Sequence, residues 1–287
     1  MSTFENAVKL EAKDMLETYL VRNLAPIVDF YVNDAFAAAH RNSPSMVAFQ
    51  QLLPTAAGLL LMKELKAMTN VMESPEKPCT FVLGGSKISD AFGMMEQVLS
   101  RGIADNILTC GITGEIMLMA KGIFLGAKKE GFIKSKGLDA FIVQAKKYLE
   151  GYPDKIYFPK DLAFENNGAR QEIKIEQLPR EEMFMDIGEE TINKYKEIIM
   201  GSKTIFLNGP AGVYENIIFE KGTKEIWSAI SEAEGYSLIG GGDTVAAAEK
   251  FIDISRISYV STAGGAMVQF VAGDKLPLIE AMENAMK

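Results

Sequence analysis

A chain of 287 residues, 48% hydrophobic and 24% charged, has the composition of a globular protein and the length for one large domain or two modest ones. Its net charge of −8 argues against a general nucleic-acid binder, which needs a basic surface, but not against a small anionic substrate, which answers to a local field. No apolar run approaches the ~18–20 residues of a membrane span, Cys79 and Cys110 are too few for a disulfide framework, and the charged start does not read as a signal peptide, so a cytoplasmic setting is expected.

In chain order, Phe4, Val8, Ala12, Met15, Leu16 and Tyr19 fall on one face at helical spacing, with Ser2 and Glu5 as a capping box and Pro26 as the limit. Ile27–Asn33 reads as one apolar strand, and Ala56–Met72 as a helix that Ser74-Pro75 ends. Six short apolar runs follow: Thr80–Leu83, Asn106–Thr109, Lys155–Phe158, Thr204–Leu207, Tyr236–Ile239 and Ser258–Ser261. Most of them end in glycine, and several lead into helical patterns such as Ser89–Leu99 and Thr244–Phe251. Repeated strand, glycine turn and helix predicts an α/β fold, a doubly wound parallel sheet with helices on both faces, whose ligands bind beyond the carboxyl ends of the strands. The paired lysines at Lys128-Lys129 and Lys146-Lys147 read as solvated helix faces.

Three glycine turns carry candidate chemistry. Gly84-Gly85-Ser86-Lys87 puts a lysine at a helix start, where N–H groups and an ammonium would face a phosphate; a tight turn with an exposed lysine is the other reading, and the P-loop spacing is absent. Asn208 to Glu215 (Asn-Gly-Pro-Ala-Gly-Val-Tyr-Glu) is a rigid loop that can point Glu215 at a ribose hydroxyl pair, or merely a turn with a solvated carboxylate. In Gly240-Gly241-Gly242-Asp243-Thr244 the backbone can approach a ligand closely, and Asp243 is either a helix N-cap or a holder of Mg²⁺ bridging phosphates. Ser261-Thr262-Ala263-Gly264-Gly265 repeats the pattern one strand later, as a possible anion nest. The single histidine, His40, reads as structural, and no histidine–cysteine metal cluster can be assembled.

The order and spacing of these segments resemble the phosphoglycerate kinase family, in its archaeal form. The likeness runs from about Leu20 to Leu276, through Tyr31-Val-Asn-Asp-Ala-Phe36 with His40-Arg41, Leu83–Lys87, Asp186-Ile-Gly188, Asn208–Glu215, Gly240–Thr244 and Ser261–Gly265. It implies reversible phosphoryl transfer between 1,3-bisphosphoglycerate and ADP, giving 3-phosphoglycerate and ATP, with Mg²⁺. Lys87 would stabilise charge on the transferring group, and Asp243 would serve the metal–nucleotide. The N–H groups of Gly241, Gly242 and Thr244, with Gly264 and Gly265, would hold phosphate oxygens. Asn208 would lie near the phosphates, Glu215 on the ribose, and Gly84 and Gly111 along the base pocket; Arg41 would take the phosphate of the acid substrate. The implied domains are a remnant of the substrate domain at 1–55, an interdomain helix at 56–73, a nucleotide domain at 74–265 and a returning tail at 266–287. Ala91 stands where the family commonly has a second lysine, Cys110 where it has a glycine, and Ala263 interrupts a triple glycine. The family's Asp-x-Asn and His-x-x-Arg turns are absent from this segment, so most of the acid-substrate site is expected to be missing and the chain by itself to bind nucleotide without turnover. The strand Ile27–Asn33 is expected to have lost its neighbours, leaving an edge that self-associates or pairs with a missing N-terminal polypeptide.

Overall fold

A computed structural model describes residues 10–286; the expected capping box at Ser2 and Glu5, with Phe4 and Val8, lies outside them. Contacts divide the chain into two compact units, one running to Asn70 and resuming at Ser261, the other from Val71 to Val260.

The first unit opens with two short helices, α1 (Ala12–Leu16) and α2 (Tyr19–Leu24). The expected strand at Ile27–Asn33 is shorter than its apolar run: Ala25–Ile27 closes as a 3₁₀ turn, and only Tyr31–Asn33 (β1) is extended. This strand has a neighbour, because it pairs in parallel with β2 (Thr55–Ala57), Tyr31 opposite Thr55. Between them lies the one-turn helix α3 (Pro44–Val47). The helix expected from Ala56 therefore begins three residues later, as α4 (Leu59–Met72). Asp34 sets that start from the far side of β1: its Oδ1 accepts the Leu61 N–H at 2.8 Å, satisfying a first-turn donor that α4 cannot satisfy itself. Gly58 leaves room for that carboxylate, since a Cβ there would sit 2.3 Å from its Cγ.

The second unit is built on six parallel strands: β3 (Cys79–Leu83), β4 (Asn106–Thr109), β5 (Ile156–Tyr157), β9 (Thr204–Asn208), β10 (Tyr236–Ile239) and β11 (Tyr259–Val260). These are the six apolar runs of the sequence. Every residue of β3 is buried, as expected for a central strand of a sheet covered on both faces. Helices α5 (Ile88–Ser100), α6 (Gly111–Ala120), α7 (Ala127–Ser135) and α8 (Ile142–Gly151) follow the first strands; α9 (Glu189–Met200), α10 (Lys221–Glu232) and α11 (Gly242–Phe251) accompany the later ones. One side of the core gathers Val82, Leu108, Tyr195, Leu207, Ile226 and Trp227, all 1% exposed or less. Sheet order is β11-β10-β9-β3-β4-β5, so the winding reverses between β3 and β9. That switch point is where doubly wound sheets open a crevice for ligands.

A second, antiparallel sheet of order β7-β6-β8 has no counterpart in the sequence reading: β6 (Asp161–Asn166), β7 (Ala169–Lys174) and β8 (Phe184–Ile187). Its hairpin turns on Asn167-Gly168, both with positive φ (52° and 78°), the two-residue turn that matches strand twist. Asp161 accepts the N–H groups of Glu190 and Thr191 at 2.8 and 2.9 Å and so fastens this sheet to the start of α9. The chain then rejoins the first unit through α12 (Gly265–Val271) and α13 (Pro277–Ala285). No helix among the described residues is long and apolar enough to cross a membrane.

Candidate functional site

At the switch point the turns after β3, β4 and β9 are joined by main-chain hydrogen bonds. Gly84 N–H donates to Asn208 O (2.9 Å), Gly85 N–H to Pro210 O (2.7 Å) and Gly111 N–H to Ala211 O (3.1 Å). Such close approach excludes side chains: a Cβ on Gly84 would lie 2.3 Å from Pro210 O, and one on Gly209 (φ +86°) 2.3 Å from Gly84 O. Cys110 points its buried thiol at Leu83 O (3.8 Å), and burial pushes that thiol up. It is a packing group here.

The loop after β9 is then fixed to α11. Gly209 N–H donates to Thr244 Oγ1 (2.8 Å), Asn208 Nδ2 to Gly240 O (2.8 Å), and Lys250 Nζ to Tyr214 O (2.8 Å) while pairing with Glu220 (2.9 Å). Helix α11 is capped by Gly241 (φ +97°), so Asp243 is not its N-cap but stands in its first turn, exposed. The first-turn N–H groups of this ten-residue helix, at Gly242, Asp243 and Thr244, have no helical acceptor and carry the positive end of its dipole. Glu215 is exposed too. Neither carboxylate has a hydrogen-bond or ion-pair partner among the described residues.

Beyond these turns opens a cavity of about 450 Å³, in the range of nucleotide-sized pockets. Gly85, Gly111, Pro210, Val213, Glu215 and Asp243 line it from the parallel sheet's edge, and Leu162, Phe184, Met185 and Asp186 from the antiparallel sheet, with Met183 just before β8. Of the expected site residues, Gly111, Glu215 and Asp243 reach the cavity wall. Gly84, Asn208, Gly241 and Thr244 belong to the linked turns behind it, and Gly242 is exposed at the start of α11. Lys87 is exposed at the N-cap of α5 and is not on the wall. Arg41, Gly264 and Gly265 belong to the first unit. There the nest expected at Ser261–Gly265 is partly spent: buried Glu64 accepts the Thr262 N–H (2.8 Å) and the Ser261 and Thr262 hydroxyls, and the Ala263 N–H goes to Ser261 Oγ. His40 packs against Gly265, and burial lowers its pKa.

Three wall residues carry charge that the sequence reading did not assign. Lys129, expected on a solvated face, is 4% exposed; its ammonium lies 2.7 Å from Glu115 Oε1 and 2.7 Å from Phe184 O. Its surroundings were readable, since Leu125, Phe132 and Ile133 at i−4, i+3 and i+4 put Lys129 on an apolar stripe. Glu115 is the sole charge in α6, and burial raises its pKa against the opposing pull of Lys129. Asp186 is 4% exposed, and its Oδ2 accepts from Arg170 Nη1 (2.8 Å) and Gly222 N–H (2.8 Å). Burial lifts its carboxyl to about 6 even against Arg170. A Cβ on Gly212 would lie 2.3 Å from its Oδ1, so Asp186 props the loop that carries Glu215.

A family model for phosphoglycerate kinase matches residues 3–274. The chain belongs to the phosphoglycerate kinase family. Among its curated relatives, the phosphoglycerate kinase of Methanothermus fervidus is 43% identical over 283 residues, 99% of this chain and 69% of the relative. That of Methanothermobacter thermautotrophicus is 42% identical over 98% of this chain and 68% of its own. The crystal structure of phosphoglycerate kinase from Pyrococcus horikoshii superposes with a TM-score of 0.89 at 38% identity, covering 98% of this chain and 70% of that one. A bacterial member from Coxiella burnetii reaches 0.84 at 31% identity over 94% of this chain. The chain is thus similar to about 70% of each relative's length, and the six-stranded parallel sheet is the family's fold.

Proposed function

We propose that this chain binds Mg²⁺–ADP or Mg²⁺–ATP in the cavity at the β3/β9 switch point and serves reversible phosphoryl transfer between 1,3-bisphosphoglycerate and ADP, in the cytoplasm. The observation that carries the proposal is the convergence of four glycine turns on one cavity whose rim holds two unpartnered carboxylates, Glu215 and Asp243. A carboxylate accepts well from a ribose hydroxyl pair, and this is the part given to Glu215. Mg²⁺ takes one or two carboxylates together with phosphate oxygens, which suits the exposed, unpartnered Asp243; when bound, the ion neutralises charge on the phosphates. The open N–H groups at the start of α11 belong to the turn that carries Asp243 and favour anionic oxygens.

Phosphoryl transfer asks the protein for position and electrostatics rather than covalent chemistry. Lys87, without a hydrogen-bond or ion-pair partner among the described residues at the start of α5, is assigned to charge that develops on the moving group. Arg41, exposed on the first unit, is assigned to the phosphate of the acid substrate, and Gly264 with Gly265 to phosphate oxygens. On this reading α4 connects the two domains, and the segment from Ser261 returns to the first.

Titration calorimetry with Mg²⁺–ADP tests the site. Asp243→Ala and Glu215→Ala should each weaken binding by about tenfold, roughly 1.4 kcal/mol. Unchanged heats in both would remove these assignments, and no heat from folded wild type would remove the site. In a coupled assay with ATP and 3-phosphoglycerate, Lys87→Ala should lower turnover more than nucleotide affinity, because its interaction grows toward the transition state. Intact binding with no turnover by wild type would restrict this chain to nucleotide binding.

A further inference from the structure

Residues 209–220 join β9 to α10 without regular structure, and they bring Val213 and Glu215 to the cavity wall. Before Glu215 this loop is tied by Gly212 N–H to Thr223 Oγ1 (3.1 Å) and by Val213 N–H to Met185 O (2.8 Å). After Glu215 it is tied by Arg170, whose Nη1 donates to Ile218 O at 3.2 Å. The same guanidinium donates to Asp186 Oδ2 (2.8 Å), Ile187 O (2.7 Å) and Glu172 Oε1 (2.9 Å). Sheet order places β6 between β7 and β8, so Arg170 reaches past a whole strand to make two of these bonds. A planar fork can meet four acceptors at once, which a lysine ammonium cannot. Arg170 does not line the cavity. Asp186 does, but its Oδ2 is taken by Arg170 and by Gly222 N–H (2.8 Å). Its Oδ1 is buried, and a Cβ on Gly212 or Gly222 would collide with it. Neither side chain therefore turns a free polar atom to a ligand. What the pair does reach is the loop, on both sides of Glu215: Asp186 at Gly212 and Arg170 at Ile218.

We propose, resting on the reading of Glu215 as the acceptor of the ribose hydroxyls, that Arg170 and Asp186 form a clamp that positions Glu215. Arg170 is a positioning residue: it acts through the loop and touches no part of the nucleotide. Glu215 is exposed and its own carboxylate has no partner among the described residues, so its place is set by the backbone on either side of it. A carboxylate on a loose loop has to be ordered when the ligand arrives, and that ordering subtracts from affinity. Fixing the chain at Gly212 and Ile218 meets the cost on folding instead. An ion pair whose side chains are 16% and 0% exposed is weak evidence for stability alone, which leaves placement of the loop as its use. Val213 keeps its own tie to Met185 O, so loss of the clamp should act on the ribose hydroxyls and spare the rest of the nucleotide.

The test compares ADP with its dideoxy analogue, which lacks both ribose hydroxyls and keeps the base and phosphates, by titration calorimetry on the full chain with Mg²⁺. Wild type should bind ADP about tenfold more tightly than the analogue. Arg170→Lys keeps a cation beside Asp186 but cannot span the four acceptors, and Asp186→Asn keeps the size and removes the charge that Arg170 grips. Thermal unfolding checks that each variant folds. In either one ADP affinity should fall about fivefold while the analogue stays within about twofold of wild type. Placed on Glu215→Ala, the same changes should have no further effect on ADP, because the residue they act through is gone. Equal losses for both nucleotides, or losses that add to that of Glu215→Ala, would make the pair merely structural and overturn the positioning role. Affinities unchanged in both folded variants would overturn it as well. Wild type that binds the two nucleotides equally would overturn the ribose reading of Glu215, and this proposal with it, while leaving the nucleotide site standing.

Discussion

The molecule contains two parallel sheets, and they differ in what covers them. In the second unit β3 lies between β9 and β4 with all five residues buried, and Phe81 packs on Phe206 with ring centroids 5.0 Å apart. In the first unit β1 buries Asn33 and stacks Tyr31 on Phe49 at 5.2 Å, while Phe30 is 74% and Val32 61% exposed. Parallel pairing is slanted and slightly weaker per residue than antiparallel pairing, so parallel strands depend on packing against both faces. At the covered centre of the sheet, as in β3, the apolar run becomes a strand along its whole length, and at the sheet's edges β5 and β11 keep two residues each. Where one face is open, Ile27–Asn33 keeps three extended residues. Apolar composition nominates a strand, and cover decides its length.

The largest test of this contrast is deletion of a side chain in each sheet. Phe81→Ala should cost ~3–5 kcal/mol in urea unfolding followed by far-UV circular dichroism, and Val32→Ala less than ~0.5 kcal/mol. Similar losses would mean that the two sheets are covered alike.

Next in size is the pH dependence carried by Asp186. Its folded pKa of about 6 lies above the ordinary 3.8, so its contribution to stability is fully present below the unfolded value and is lost as pH rises through about 6. The window of about two units corresponds to roughly 3 kcal/mol at most. Asp186→Asn should therefore flatten the fall in unfolding free energy between about pH 4 and pH 6; an unchanged slope would place the titration elsewhere. Asp186 stands on β8 of the antiparallel sheet, so the effect reports the cover that this sheet adds to the second unit.

Gly209→Ala follows, at about 1–3 kcal/mol for a side chain forced to positive φ. Nucleotide affinity should drop with it, because the same change pushes on the Gly84 turn. Affinity unaltered in a destabilised variant would separate the turn's packing from the site.

The smallest effect on stability, and the clearest on association, is expected from Phe30→Lys and Val32→Lys. Both should stay within ~0.5 kcal/mol of wild type, as exposed positions do. Sedimentation velocity should show fewer oligomers than wild type, since charge blunts an open strand edge. Wild type that is wholly monomeric would mean that this edge does not associate.

Local pattern carried the main sheet and its turns. The six runs between Thr80 and Ser261 became six strands to within about two residues at either end, and α5 and α11 start one and two residues before their expected positions. The antiparallel sheet was missed although Asn167-Gly168 is a strong hairpin signal, because the alternation in Ala169–Lys174 is blurred: only Ile173 is buried there. Lys129 was misplaced for a different reason. A lysine pair reads as solvent-facing unless the apolar stripe beside it is weighed first.

What the sequence by itself determined was every feature whose cause lies within a few residues: glycines where backbones meet or φ turns positive, apolar runs for covered strands, and the order of motifs that marks the family. The tertiary structure alone decided what depends on partners distant in the chain. Asp34 starts a helix at Leu59, Glu64 occupies the N–H of Thr262, and Asp186 props a loop some 25 residues away against Arg170. Burial of the Glu115–Lys129 pair is of the same kind, since Phe184, brought in by the antiparallel sheet, supplies the carbonyl that holds the ammonium. A charge buried in a cavity wall is stable only once all its partners are assembled, and no local stretch of the chain contains them.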